Sequence, residues 1–219
     1  MPIRAFLSYS HKDRELAHHL KDELKEFGVE AFLAHDDIPV SERWRRAILK
    51  NLRNCELFIP ILTEAYTKSK WTDQEAGFAL AKGKRIVPLK VDVTPYGLIE
   101  VYQALRLRQV RPIETCWRIM ESLKERESLR QKVREGVISS FLKSSTFEIA
   151  SKNLTQLVKF RPFTSEQLVE IVKTSSRNQN IYGCHGAQRH MEVLLEDARG
   201  KVPRAWIARY RNSVESWPY

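Results

Sequence analysis

The stretch Ser69-Lys70-Trp71-Thr72-Asp73-Gln74-Glu75 joins an apolar run ending near Leu62 to a helical pattern beginning near Thr72. A turn that leads from a buried strand into a helix is where α/β proteins place their binding groups. Trp71 and Glu75, at i and i+4, can share one helix face. With the Ser69 hydroxyl beside them they can line a pocket for a ring that carries a polar sugar. The same residues also fit a capping box, with Thr72 as N-cap, Glu75 at N3 and Trp71 packed on the core. Seven residues leave both readings open.

The neighbours of this stretch alternate strand and helix. Leu57-Phe58-Ile59-Pro60-Ile61-Leu62 is the most apolar run, and Pro60 implies either a gap in its ladder or a strand that borders an opening. Upstream, residues 4–10 form a short apolar run ending in hydroxyls, and residues 29–33 a second one. Between them Leu16, Ala17, Leu20, Leu24 and Phe27 recur at helical spacing until Gly28 stops the helix. Residues 35–40, with Asp36, Asp37 and Pro39, read as a loop, and Ser41 can cap a helix over 42–53 whose stripe is Trp44, Ile48 and Leu52. Downstream, a helix runs to Lys82 before Gly83. Residues 85–91 and 105–110 then read as a fourth and a fifth strand, the last one at an edge. A single long charged helix is expected from about Glu114.

Five strands with helical connections predict an α/β fold with a parallel sheet covered on both faces, because parallel strands need crossovers. Ligands in such sheets bind beyond the carboxyl ends of the strands. Ser10, Asp36, Asp37, Ser69, Trp71 and Glu75 all follow the ends of the first three strands, so they are expected to converge on one crevice. A capping glutamate can still project a free oxygen into it.

The 219 residues suffice for one ordinary domain and a smaller one, and 42% hydrophobic content supports packed cores. There is no apolar run long enough to span a membrane and no signal-peptide core after Met1, so a cytoplasmic location is expected. Cys55, Cys116 and Cys184 are widely spaced, which suggests buried reduced thiols and no metal site. The net charge of +10 is spread out, with 25 Lys/Arg against 20 Asp/Glu through residue 138 and 12 against 7 beyond it. No Arg/Lys run is interleaved with exposed-looking aromatics, so solvated helix faces are expected and nucleic acid is not a favoured partner.

From residue 139 the texture changes. Ser139-Ser140 and Ser144-Ser145-Thr146 read as a loosened linker into short helical patterns over 154–160, 165–173, 186–198 and 205–210. Thr164 supplies a cap, and Cys184-His185 lies in a glycine-punctuated turn with no second ligand set for a metal. A division into residues 1–138 and a helical module at 139–219 is expected.

Three segments resemble one family. Phe6-Leu7-Ser8-Tyr9-Ser10-His11-Lys12-Asp13 is similar to the first sequence box of Toll/interleukin-1 receptor (TIR) domains. The segment from Asp36 through Pro39 to Trp44 is similar to their BB loop, and Ser69 to Glu75 matches the Ser-x-Trp-x-x-x-Glu pattern of the enzymatic members. The resemblance covers about residues 3–135 and implies a flavodoxin-like five-stranded parallel sheet followed by a small all-α domain. The helical module resembles association or sensor domains appended to prokaryotic TIR proteins.

NAD⁺-cleaving members release nicotinamide from ribose, giving ADP-ribose or a cyclic product. The resemblance implies that Glu75 is the catalytic carboxylate and that Trp71 and Ser69 belong to the substrate pocket. It places Tyr9, Ser10, His11 and Trp44 beside the nucleotide, although His11 also reads as a surface histidine. Neither a G-x-G-x-x-G nor a Walker motif is present, so NAD⁺ is expected as a consumed substrate and no bound cofactor is expected. Self-association through the TIR domain, an immune-signalling role and a partner for the helical module are implied as well. The competing expectation is a non-enzymatic adaptor acting through TIR–TIR contacts.

Overall fold

The computed structural model describes residues 2–33, 44–107 and 112–218. The expected loop with Asp36, Asp37 and Pro39, the Ser41 cap, the side chain of Trp44 and the end of the fifth strand lie outside the described residues. The chain divides into two compact units, Met1–Glu125 and Arg126–Tyr219.

The first unit is a parallel sheet with helices on its faces. Its strands are β1 (Ile3–Ser8), β2 (Val29–Leu33), β3 (Leu57–Leu62), β4 (Arg85–Ile86), β5 (Leu89–Lys90) and β6 (Leu105–Arg106). The order is β2-β1-β3-β5-β6, with β4 also on β3, and every described pairing is parallel. The expected fourth strand is therefore two short ones. Leu57 and Phe58 pair with Arg85 and Ile86, and Ile61 and Leu62 pair with Leu89 and Lys90, at one unchanged offset. Pro60 thus stands opposite Pro88, and two residues without N–H groups leave the ladder open between β4 and β5. Of the two readings of Pro60, the gap is the one found.

Side-chain alternation along β1 divides the core. Phe6 faces one layer with Phe58, Ile48, Leu52, Tyr66, Ala76 and Ala79. That layer is covered by α2 (Trp44–Asn54), α3 (Glu64–Thr67) and α4 (Lys70–Ala81). Ile3, Ala5 and Leu7 face the other layer, covered by α1 (Arg14–Glu26) and α5 (Pro112–Leu123), where Phe27 meets Trp117 edge-on at 5.0 Å. Gly28, which ends α1, has φ +67°, a conformation that suits glycine.

The single long helix expected from Glu114 is two, α5 and α6 (Glu127–Leu142), separated at residues 124–126. The boundary expected after residue 138 falls inside α6. Ser139 and Ser140 are helical, not linker: Ser140 is buried, and its carbonyl accepts from Asn153 Nδ2 at 3.3 Å. The second unit continues with α7 (Phe147–Leu157), α8 (Ser165–Ser175), α9 (Gln179–Tyr182), α10 (Gln188–Ala198) and α11 (Arg204–Glu215). Leu154, Leu168, Ile171, Met191, Leu194 and Tyr210 are among its buried residues. A capping box, Thr164 with Gln167, starts α8, as the cap signal predicted. No helix among the described residues is long and apolar enough to cross a membrane.

Candidate active site

Helix α4 starts at Lys70, two residues earlier than the sequence suggested. Its N-cap is Ser69, whose side chain makes no capping bond. Thr72 lies inside the first turn, where its hydroxyl is within reach of the carbonyls of Ser69 (2.7 Å) and Tyr66 (2.9 Å). The capping box read at Thr72 and Glu75 is therefore not formed, which leaves the Glu75 carboxylate available for another role. Thr72, Glu75, Ala76 and Ala79 make the buried stripe of α4, so a glutamate occupies a core position facing the sheet.

Its partner there is Ser8, the last residue of β1, on the same face as Phe6. Ser8 Oγ donates to Glu75 Oε2 at 2.6 Å, and Ser8 itself has no exposed surface. The Tyr66 hydroxyl lies 3.3 Å from Ser8 Oγ and 3.4 Å from the Thr72 carbonyl. A tyrosine, a serine and a carboxylate thus form a short buried chain beyond the end of β1. Burial raises the Glu75 carboxyl to about 7, and the Ser8 bond offsets part of that rise. Burial also pushes the Tyr66 hydroxyl well up, with the neighbouring Glu75 charge adding to it, so Tyr66 stays a neutral donor.

In front of Glu75 lies a cavity of about 460 Å³ between α2 and α4, lined by Arg45, Ile48, Leu49, Leu52, Trp71, Gln74, Glu75 and Phe78. That volume lies within the usual range for small-molecule sites. The Arg45 guanidinium sits over the Trp71 ring at 5.5 Å, so a flat aromatic wall and a cation stand at the mouth. On the outer side of α4, the Tyr96 hydroxyl donates to Asp73 Oδ1 at 2.8 Å, and burial, with this carboxylate adding to it, pushes that phenol up. A larger hollow of about 710 Å³ opens at the amino ends of β1 and β2, beside Arg4, Lys21, Glu30 and Cys55. It is bigger, but parallel sheets do their chemistry at the other end, and no buried acid faces it.

Of the expected residues, Trp71 and Glu75 line one cavity. Tyr9 is buried, Ser10 and Ser69 are half-buried and His11 is exposed; none of the four is among the described lining residues. Alternation explains Tyr9, which follows Ser8 and so turns toward the opposite layer. Trp44 opens α2, with its side chain outside the described residues. Ser8, Tyr66 and Arg45 were not anticipated. The signal for Ser8 was the same alternation, since it has the parity of Phe6. Tyr66 carried none, because only the fold brings α3 under α4. No group of His, Cys, Asp or Glu that could hold a metal is found among the described residues, and the three cysteines are buried and free.

The TIR domain family model matches residues 5–120. Two solved structures are similar to the chain. One is the TIR domain of the Toll-related receptor TRR-2 from the lower metazoan Hydra magnipapillata, 18% identical, covering 58% of this chain and 96% of its own, with a TM-score of 0.42. The other is the set of TIR domains in the activated Roq1 resistosome that directly recognises the pathogen effector XopQ, 16% identical, covering 72% of this chain and 98% of its own, with a TM-score of 0.38. No curated protein shows a significant match. Since the family model spans more than half of the 219 residues, and the unit it covers is a parallel sheet wrapped by helices on both faces, the chain belongs to the TIR domain family.

Proposed function

We propose that the first unit is an NAD⁺ nucleosidase in which Glu75 acts on the bond between ribose and nicotinamide, in the cytoplasm and as part of an immune or stress-signalling response. The observation that carries this reading is a glutamate placed in the buried stripe of α4, hydrogen-bonded to Ser8 at 2.6 Å and open to a cavity walled by Trp71. A scaffold gains nothing from a buried acid, because its desolvation costs stability.

Nicotinamide is cationic while joined to ribose. When the C1′–N bond breaks, the electron pair moves to the ring nitrogen and nicotinamide leaves neutral, so no acid has to protonate it. The ribose becomes an oxocarbenium ion. The ionised Glu75 faces that cation from a site where water cannot screen the charge, an effect worth on the order of 3 kcal/mol. Water then adds at C1′ and loses one proton, which Glu75, with its carboxyl raised to about 7, can accept. NAD⁺ and water give ADP-ribose, nicotinamide and a proton. Capture by an adenine nitrogen of the same molecule would give the cyclic product instead. Trp71 stacks with a ring of the nucleotide, and Arg45 attracts its diphosphate.

Nicotinamide released by the purified 219-residue chain, followed over a range of protein concentrations, tests the reading. Glu75→Ala is expected to lower release by roughly a hundredfold or more, and release per chain is expected to rise with concentration as TIR units associate. Equal release by both proteins would remove Glu75 from the mechanism. No release at any concentration would favour the adaptor.

A further inference from the structure

The two units do not share the charge evenly. Residues 1–125 carry 21 Lys/Arg against 18 Asp/Glu and residues 126–219 carry 16 against 9, so the smaller, helical unit holds +7 of the +10. Some of this excess is paired, as in Arg161–Asp197 and Arg211–Glu192. Among the described residues, a group of three cations that lies together has no ion pair.

Lys173 in the last turn of α8, Arg177 just beyond its end, and Arg209, three residues beyond Trp206 in α11, converge on one indole ring. Their charged groups lie 5.4, 5.4 and 5.6 Å from its centroid, so every pair of them lies within about twice that distance. Among the described residues no carboxylate forms an ion pair with any of the three. Arg177 and Arg209 are exposed, and Lys173 and Trp206 half-exposed. The ring's quadrupole attracts each cation but leaves its charge uncancelled. Like charges held together without a counter-charge on a folded surface are complementary to an anion that brings several charges in a row.

We propose that this α8–α11 face binds nucleic acid, with the phosphodiester backbone lying across Lys173, Arg177 and Arg209 and a base stacked on a guanidinium or indole plane. Cations supply the affinity for phosphates, and the planar groups supply what a base requires. An acidic peptide has no flat face to match those planes. A membrane surface calls for an apolar wedge, whereas the exposed neighbours of Trp206 on α11 include Arg204, Ala205 and Ala208. The aromatic–cation interleaving that the linear sequence lacks is assembled here from two helices some thirty residues apart. This site does not depend on NAD⁺ cleavage by the first unit.

The test uses the full chain and short labelled single-stranded and duplex oligonucleotides, with fluorescence anisotropy between about 50 and 200 mM salt. Binding is expected at the low end of that range, falling steeply with salt, with Trp206 emission quenched. The triple variant Lys173→Gln/Arg177→Gln/Arg209→Gln is expected to bind on the order of a hundredfold more weakly and to lose about two from the log–log salt slope. If that variant loses its helical circular dichroism, the three single variants carry the test, each weakening binding by several-fold. Absence of oligonucleotide binding by the native chain, or equal binding by native and variant chains, overturns the proposal. So does retention on polyglutamate or phosphatidylserine vesicles as strong as on oligonucleotides of matched charge.

Discussion

Glu75 and the cations around Trp206 are two charged centres built on opposite principles. Glu75 is 5% exposed and accepts a short hydrogen bond from Ser8, and burial raises its carboxyl to about 7. Arg177 and Arg209 are exposed and Lys173 half-exposed, and among the described residues no carboxylate forms an ion pair with them. The first unit perturbs a single charge by taking water away from it. The second leaves several like charges together in water. Burial acts on a single group and is insensitive to salt, whereas clustering acts on a field that salt screens within about 10 Å at ordinary ionic strength.

Glu75→Gln keeps the shape of the side chain and removes its charge. Nicotinamide release is expected to fall about as far as in Glu75→Ala, while stability rises. The carboxyl titrates near 4.5 when unfolded and about 7 when folded. It therefore costs folding nothing below about 4.5, and the cost grows as pH rises from 4.5 to about 7. Above that the cost is about 3 kcal/mol. Melting curves should show the variant ahead of the native protein at pH 8 and level with it near pH 4. A variant less stable at pH 8 would mean that the ionised acid is well solvated.

Next in size is the pH profile of release itself. With an ionised Glu75 required, kcat/KM is expected to climb tenfold per unit below about 7 and level off above it. Ser8→Ala removes a hydrogen bond that favours the charged form, so the rising limb should move to higher pH by about one unit. An unshifted limb would assign the titration to another group. The smallest effect belongs to the second unit. Arg177→Gln relieves like-charge repulsion on the α8–α11 face by a few tenths of a kcal/mol at low salt, set against the loss of its contact with the Trp206 ring. That relief is expected to vanish at high salt, whereas the Glu75→Gln gain persists.

Helical and strand periodicities made β1, β2, β3, α1 and the alternating α/β order legible, because each element pairs an apolar period with a clear stop such as Gly28 or Gly83. Trp71 and Glu75 were legible as a pair from their spacing. The Thr72–Glu75 capping box was a plausible local pattern that the fold overrode: α4 begins at Lys70, and Glu75 turns inward to Ser8. The split of the fourth strand required knowing that Pro88 faces Pro60, a matter of register between distant segments. The unit boundary was read from serines at 139 and 140, yet serine is tolerated in a helix whose other face is packed.

By itself the sequence determined the wound parallel sheet, the acid at position 75 beside a tryptophan and the helical texture of the second half, since these follow from local period and spacing. Only the tertiary structure decided that Ser8 and Tyr66 would be the acid's neighbours, that Tyr9 would be buried, and that Lys173, Arg177 and Arg209 would meet on Trp206. Burial and the sum of nearby charges are properties of what surrounds a residue in space, and chain order does not contain them until the elements pack.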